Sequence, residues 1–144
     1  LGRRETVFLS WENERIIEKE RGNSWLTKWQ DKNLSRIDGS FKATAADTWQ
    51  YNGTSFTVPA NHVYFVRGQL GFSYKRPVGI GFNSASAIGA AGVPQVYLEN
   101  AYGVLTSPCF MLLSGTYYMF EKRADVPSGA ESNYVNIVDL NNGA

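Results

Sequence analysis

The stretch that decides the fold is TSFTVPANHVYFVRGQLGFSY, residues 54–74. Its second half alternates between two faces, with an apolar set of Tyr64, Val66, Leu70 and Phe72 and a polar set of Arg67, Gln69 and Ser73. A period of two residues indicates a β-strand with one buried face. The turn sequence Pro59-Ala60-Asn61 separates this strand from a preceding one. Gly68 and Gly71 indicate a bulge or a close approach of the backbone to its neighbours.

The same pattern of short apolar runs and turn residues continues from Phe41 to Leu140. Asn52-Gly53 and Ser114-Gly115 each lie between two such runs, and both predict tight hairpin turns. Residues 83–94 are almost all Ser, Ala and Gly, which predicts an exposed loop. A series of about eight or nine short strands predicts an all-β fold, an antiparallel sandwich or barrel, and jelly roll is the topology we favour.

Charge divides the chain at about residue 33. Of its 14 basic and 13 acidic residues, almost half lie between Arg3 and Lys32. We therefore expect a charged connecting segment at residues 1–33 and a β-sandwich head domain at residues 34–144. Because the chain begins with Leu1, we expect it to be a piece of a longer protein.

The connecting segment has two alternative structures. Residues 10–21 favour a helix, which Ser10 would cap and Gly22 would end. A hairpin is the alternative, because apolar and polar residues alternate at the start of this segment.

Composition and charge exclude several classes of function. The net charge is +1 without a basic cluster, which argues against nucleic-acid binding. No apolar run reaches about 18 residues, so we expect no membrane insertion. Cys109 is the only cysteine, which excludes a disulfide within the chain, and its apolar neighbours predict a small buried residue. The only histidine, His62, follows a turn and has no second histidine for a triad or a metal site, so we expect no metal and no cofactor.

Carboxylates are the remaining route to catalysis. The acidic residues of the head domain are Asp38, Asp47, Glu99, Glu121, Asp125, Glu131 and Asp139. Most lie in turns or beside basic residues, so we interpret them as solvated surface charge and predict no catalytic residue. Gly79-Ile80-Gly81 lacks the third glycine of a dinucleotide fingerprint, and a close backbone approach within a sheet explains it better.

Two turns combine aromatic with polar side chains, and we predict them to be the ligand-binding residues. They are Tyr74, Lys75 and Arg76 at one turn and Tyr97, Asn100 and Tyr102 at another. Tyrosine offers a flat apolar face and a hydroxyl, while asparagine and arginine offer directional donors. This chemistry suits a shallow site for a sugar or a protein epitope. The alternative is that the tyrosines belong to the sheet or to a subunit interface.

Two stretches carry a resemblance to a known family. Residues 54–66 resemble the strand-turn-strand entry of trimeric jelly rolls of the complement and tumour-necrosis-factor type. Residues 113–122 and 134–140 are similar to the closing strands of head domains in phage tail fibres. The likeness covers roughly residues 41–140. It implies a homotrimer in which Phe65, Tyr117 and Met119 would be buried between subunits.

These observations lead to one expectation about function and two alternatives. The chain would be a phage fibre head domain in the extracellular virion, joined to a fibre shaft or another virion protein, and it would bind a host-surface glycan or protein. A structural virion component, such as a head-fibre or decoration subunit without receptor binding, is the first alternative. The second is a small glycan-cleaving enzyme, which would need two carboxyl groups about 5 to 10 Å apart in a cleft.

Overall fold

The computed structural model describes residues 34–72 and 76–141, and the expectations for residues 1–33 lie outside this part of the chain. The strands are β1 Leu34–Phe41, β2 Gln50–Val58, β3 Tyr64–Leu70, β4 Pro77–Asn83, β5 Val96–Glu99, β6 Phe110–Leu112, β7 Gly115–Arg123 and β8 Glu131–Asp139. Within these residues there is no helix that is long and apolar enough to cross a membrane.

The strands form two four-stranded antiparallel sheets. Their spatial orders are β1-β8-β3-β6 and β2-β7-β4-β5. The chain passes from one sheet to the other at every described connection except β4 to β5. Two Greek keys wound together in this way are a jelly roll. The predicted all-β antiparallel jelly-roll sandwich is therefore confirmed.

The core lies between the two sheets, and at Gly68 the opposite sheet comes close to the backbone. A Cβ atom at Gly68 would lie 2.9 Å from Ile80 Cδ1, 3.0 Å from Met119 Cε and 3.1 Å from Phe82 Cζ. The three side chains reach across from the opposite sheet, so Gly68 gives them the space they need. This confirms the close backbone approach that the sequence indicated. The buried apolar cluster comprises Phe56, Val58, Val66, Leu70, Ile80, Phe82, Val104, Leu112, Met119, Val135 and Ile137.

The position of Met119 corrects one expectation. The sequence placed Met119, with Phe65 and Tyr117, on a face that neighbouring subunits would cover. Met119 is instead fully buried inside the sandwich, and Tyr117 packs partly against the same core. Phe65 pairs with Met111 and Val138 on the outer face of its sheet, where it is half-buried.

The hairpin predicted at Asn52-Gly53 is wrong, because both residues belong to a single strand, β2. The register against β7 shifts between Tyr51 and Ser55, and Gly53 has φ of +88°. Asn52 is buried and its side chain donates to Glu121 at 3.0 Å. The positive φ that a hairpin turn needs also suits a bulge, and here the strand continues through it.

The hairpin predicted at Ser114-Gly115 is also wrong. Ser114 lies between β6 and β7, Gly115 is the first residue of β7, and the two strands lie in different sheets. The loop predicted at residues 83–94 is confirmed as mostly exposed, and it links β4 to β5. Asn83 organises this loop, since its amide group donates to two loop carbonyls and accepts from the Gln95 N–H at 3.1 Å.

The connections between strands fall at two opposite ends of the sandwich. The tip end holds the connections 42–49, 100–109 and 124–130, together with residues 71–72 and 76 of the connection between β3 and β4. The base end holds the connections 59–63, 84–95 and 113–114. The strand registers set this division, because Leu34 faces Val138 at the base end and Phe41 faces Glu131 at the tip end. The described part of the chain therefore both begins and finishes at the base end.

Candidate functional site

A concavity at the tip end is the candidate functional site. Its volume is about 680 Å³, within the range typical of small-molecule sites. The lining residues are Asp47, Val78, Glu99, Asn100, Ala101, Tyr102 and Ala124. Three of the four tip connections contribute to it, and most of the lining residues are exposed. The site is therefore open and shallow.

Backbone hydrogen bonds hold the connection that carries Asn100 and Tyr102. The Asn100 N–H donates to the Val78 carbonyl at 2.8 Å, and the Gly103 N–H donates to the Pro77 carbonyl at 3.1 Å. Gly103 has φ of +81°, a conformation that favours glycine. The connection thus folds back onto the start of β4 and leaves the Tyr102 ring 60% exposed.

A lysine links the two carboxylates of the site. Lys122 Nζ lies 2.5 Å from Glu99 Oε2 and 3.6 Å from Asp47 Oδ1. The hydrogen bond to Glu99 raises the pKa of Lys122, and the negative charges of Glu99 and Asp47 add to this effect, so the ammonium stays charged. The Asp47 side chain is 78% exposed, which leaves it open to a ligand.

A glycine explains how Lys122 reaches Glu99 across an intervening strand. Gly79 of β4 pairs with Lys122 of β7 on one side and with Glu99 of β5 on the other. A Cβ atom at Gly79 would lie 3.2 Å from Lys122 Cβ and 2.5 Å from the Trp49 ring. The missing side chain therefore makes room for Trp49 on the outer face of the sheet. The backbone approach that we predicted from Gly79-Ile80-Gly81 is confirmed.

The outer face of this sheet extends the site with two aromatic rings. Trp49 and Tyr97 meet edge to face, with ring centroids 5.8 Å apart and planes at 77°. Tyr97 and Glu99 lie two residues apart on β5, so both point to this outer face. The tyrosine ring is 42% exposed and is held in place by Trp49. An exposed aromatic surface thus begins next to the concavity.

The structure brings together some of the predicted ligand-binding residues. Asn100 and Tyr102 line the concavity, and the Arg76 guanidinium carbon lies 5.8 Å from the centre of the Tyr102 ring. Tyr97 lies beside the concavity on the outer face of the sheet. Tyr74 and Lys75 lie outside the described residues.

Sequence reasoning missed four charged or aromatic members of the site, Asp47, Trp49, Glu99 and Lys122. Asp47 has φ of +52°, and its N–H donates to the Arg123 carbonyl at 2.7 Å, which fixes it at the edge of the concavity. The glycines of β4 were a usable signal for Trp49, because a glycine on a sheet face leaves space for a large ring.

Two carboxylates interpreted as solvated surface charge are buried, which corrects that expectation. Glu121 and Glu131 point into the sandwich on either side of Arg123. Arg123 Nε lies 2.5 Å from Glu121 Oε2, and Nη1 lies 2.8 Å from Glu131 Oε1. Burial raises the pKa of Glu121, and this effect outweighs the opposing effect of Arg123. These carboxylates enclose an arginine and line no cleft.

Cys109 and His62 are the other residues noted in the sequence, and both lie outside the concavity. Cys109 is exposed, which contradicts the predicted buried position. It directly precedes β6, a three-residue strand at a sheet edge, and this position leaves its side chain in solvent. His62 lies in the predicted turn, where its N–H donates to the Pro59 carbonyl and its ring contacts Asp139 at 3.0 Å. Among the described residues no three His, Cys, Asp or Glu side chains gather as a metal site would require.

Fold and site together define a jelly-roll β-sandwich with an exposed aromatic and acidic site at one end. No protein-family model matches the chain. No curated protein matches its sequence. Among solved structures, the chain is similar to one reported as "Bacillus endospore appendages form a novel family of disulfide-linked pili". That match has 16% identity and a TM-score of 0.35, and it covers 73% of this chain and 86% of the other. At this TM-score the similarity carries no argument about function.

Proposed function

We propose that the chain is the head domain of a phage fibre, which binds a glycan or protein on the host surface through its tip end. The observation that carries this proposal is the placement of the site. Asp47, Glu99, Asn100 and Tyr102 lie at the tip end, whereas the described chain starts with Leu34 at the base end. Whatever precedes Leu34 therefore joins the domain opposite the site. A domain attached at its base presents such a site outward.

The chemistry of the tip suits recognition. The Tyr102 ring is exposed and offers an apolar face, and Asp47 and Asn100 offer hydrogen-bond acceptors and donors beside it. Backbone hydrogen bonds to β4 hold this connection before any ligand arrives. A pre-formed site loses less conformational entropy on binding than a mobile one.

Binding to cells tests this role. The full chain, labelled with a fluorophore, would be added to a panel of bacterial strains, alongside Tyr102→Ala and Val126→Ala. Val126 is a matched control, because it is an exposed apolar residue in another tip connection and lies outside the concavity. We expect the wild type and V126A to stain a subset of strains and Y102A to stain them several-fold less. Equal staining by all three chains, or no staining of any strain, would refute the proposal.

We further propose that the head assembles as a homotrimer through the outer face of the sheet β1-β8-β3-β6. An apolar row crosses this face at the base end, because Leu34 pairs with Val138, Val138 with Phe65, and Phe65 with Met111. Leu34 is 50% exposed and Met111 is 62% exposed. A continuous apolar row on a sheet face marks an interaction surface. Packing it between copies would also bring their upstream segments together, as a shared shaft requires.

Sedimentation equilibrium tests the assembly. The proposal predicts a mass three times that of the 16.0 kDa chain at micromolar concentration. Met111→Glu places a charge on the exposed end of the apolar row and should yield monomer, whereas Val126→Glu at the tip should leave the trimer intact. A wild-type chain that sediments as a monomer at tens of micromolar would remove this part of the proposal.

A glycan-cleaving enzyme is the second candidate, and one observation favours it. Lys122 Nζ lies 2.5 Å from Glu99 Oε2 and 3.6 Å from Asp47 Oδ1, so these two oxygens are no more than about 6 Å apart in a concavity. Two observations argue against an enzyme. Both carboxylates contact the one ammonium group of Lys122, and both side chains are exposed to solvent. A general acid instead needs apolar surroundings, which raise the pKa of its carboxyl group. Reducing-end release from bacterial polysaccharides that Asp47→Asn and Glu99→Gln both abolish would support the enzyme over the binding domain.

A structural virion subunit without receptor binding would also use the apolar row. It differs from the head domain in its tip, which would then have no ligand. The cell-binding measurement with Tyr102→Ala separates the two, because a purely structural subunit would show no staining that depends on Tyr102.

A further inference from the structure

We infer that the ligand is an uncharged oligosaccharide that lies along β5, from Tyr102 at the tip to Tyr97 on the outer face of the sheet. This inference rests on the proposed function and names the class of ligand for the same site. Its two elements are the balance of charge at the site and the spacing of the two exposed tyrosine rings.

The two negative and two positive charges of the site cancel, which favours a ligand without net charge. Asp47 and Glu99 contribute two negative charges, Lys122 lies between them, and Arg76 lies beside the Tyr102 ring. Because Lys122 already contacts both carboxylates, it is not available to a sialylated or sulfated ligand. Such a ligand would have to approach the two carboxylates, and like charges repel. Hydroxyl groups, by contrast, donate readily to carboxylate oxygens.

The binding groups of the site follow one another along β5 and into the connection after it. Tyr97 and Glu99 point to the same face, about 7 Å apart along the strand. Asn100 and Tyr102 continue beyond Glu99 into the concavity. The acidic and amide groups thus lie between two exposed aromatic rings. Sugar rings have an apolar face that stacks on an aromatic ring, so a saccharide of several units would contact both tyrosines and donate to Glu99 between them.

The Tyr97 end of the site is rigid before binding. The Trp49 ring supports Tyr97 edge to face at 5.8 Å and lies directly over Gly79, which has no side chain to displace it. An immobilised ring loses little entropy when a ligand stacks on it. A protein epitope would instead need about 800 Å² of contact on each partner. A narrow row of groups along one edge strand fits an extended chain better.

Titration calorimetry tests the inference with the full chain. The probes are uncharged oligosaccharides of glucose, mannose, galactose and N-acetylglucosamine, from one to six units, with sialylated and sulfated oligosaccharides for comparison. For the wild type we expect affinity for at least one uncharged series to rise with length. Tyr97→Ala should weaken only the longer oligosaccharides, by roughly two- to tenfold, whereas Tyr102→Ala should weaken all of them.

Two further variants separate stacking from folding. Tyr97→Phe keeps the ring and should retain the dependence on length, and Val126→Ala at the same end should match the wild type. Tighter binding of sialylated or sulfated ligands, or an affinity that does not change with length, would overturn the inference. So would cell staining that protease treatment of the cells abolishes, combined with no binding to any saccharide. In that case the binding role would stand and the ligand would be a protein, whereas no cell staining at all would remove both.

Discussion

Replacing Arg123 with methionine tests how the buried charges hold the tip end together. The Arg123 side chain is fully buried, with Glu121 Oε2 2.5 Å from its Nε and Glu131 Oε1 2.8 Å from its Nη1. Methionine fills much of the same volume but leaves two carboxylates inside the sandwich without this cation. Removing one of the two partners of a buried ion pair costs about 3–5 kcal/mol of stability. For a domain whose total stability is about 5–15 kcal/mol, this is a large loss.

Urea unfolding followed by tryptophan fluorescence measures the effect, at one fixed chain concentration because assembly would contribute to stability. At pH 7 we expect Arg123→Met to lose about 3–5 kcal/mol, which corresponds to a fall in Tm of roughly 6–20 °C. The loss should shrink in acidic buffer, because Glu121 and Glu131 can then be protonated and no longer carry negative charge.

The control adds Glu121→Gln and Glu131→Gln to Arg123→Met. If the penalty comes from uncompensated charge, the triple variant should recover most of the lost stability. If it comes from lost packing, the triple variant should be as unstable as the single one. A loss below about 1 kcal/mol in the single variant, or no recovery in the triple variant, would refute the reasoning.

Three further substitutions and one control substitution follow from the same structure. Burial raises the pKa of Glu121 above its ordinary value of 4.5, so the folded state holds this proton more tightly than the unfolded state and stability falls as the pH rises from 4.5 through the folded pKa. Glu121→Gln should therefore flatten that fall in a series of urea titrations, and an unchanged slope would contradict it. Gly68→Ala places a Cβ atom about 3 Å from three core side chains and should cost roughly 1–3 kcal/mol in thermal unfolding. Gly129→Ala, which meets nothing within 4 Å, should change stability by less than about 0.5 kcal/mol, and equal effects would contradict the packing argument. Gly53→Ala has space for its methyl group but a φ of +88°, so a loss of about 1–2 kcal/mol in the same measurement would reflect backbone strain alone.

The alternation in residues 63–72 was sufficient to identify the fold class because side chains on a strand must point to opposite faces. Val66 and Leu70 are buried, and Arg67 between them is exposed, as the pattern predicted. The two glycine turns could not be assigned in the same way. Asn52-Gly53 and Ser114-Gly115 supply unusual backbone angles, but the use of those angles depends on which strand lies alongside. A bulge and a crossover between sheets require the same local residues as a hairpin.

The misplacement of Met119 and Glu121 has one physical cause. Each of these assignments depended on which face of a strand looks inward, and a single strand does not reveal this where apolar and polar residues share a face. Glu121 points inward with Met119 because Asn52 and Arg123 on neighbouring positions give its carboxylate hydrogen-bond partners. The hydrogen bond from Asn52 comes from another strand, so the sequence pattern around Glu121 does not reveal it.

The candidate site was predictable only in part for a related reason. Asn100 and Tyr102 stand out locally, since an exposed turn rich in tyrosine and asparagine suits binding. Lys122 becomes part of the site only because the jelly roll brings β7 within reach of β5 across Gly79. Asp47 joins it because its N–H donates to the Arg123 carbonyl of β7. No property of Asp47 or Lys122 in the sequence distinguishes it from ordinary surface charge.

The same topology links the attachment, the assembly and the recognition that we propose. The first strand, β1, and the last strand, β8, lie in the same sheet and pair with each other. Leu34 and Val138 therefore lie side by side. This places the start of β1 on the apolar row that includes Met111, and the acidic and aromatic residues collect at the other end. A polar substitution in that row should therefore alter assembly without changing the affinity of a single site. A substitution of Tyr102 should do the reverse. Loss of both properties from either single change would mean that the two ends are not independent.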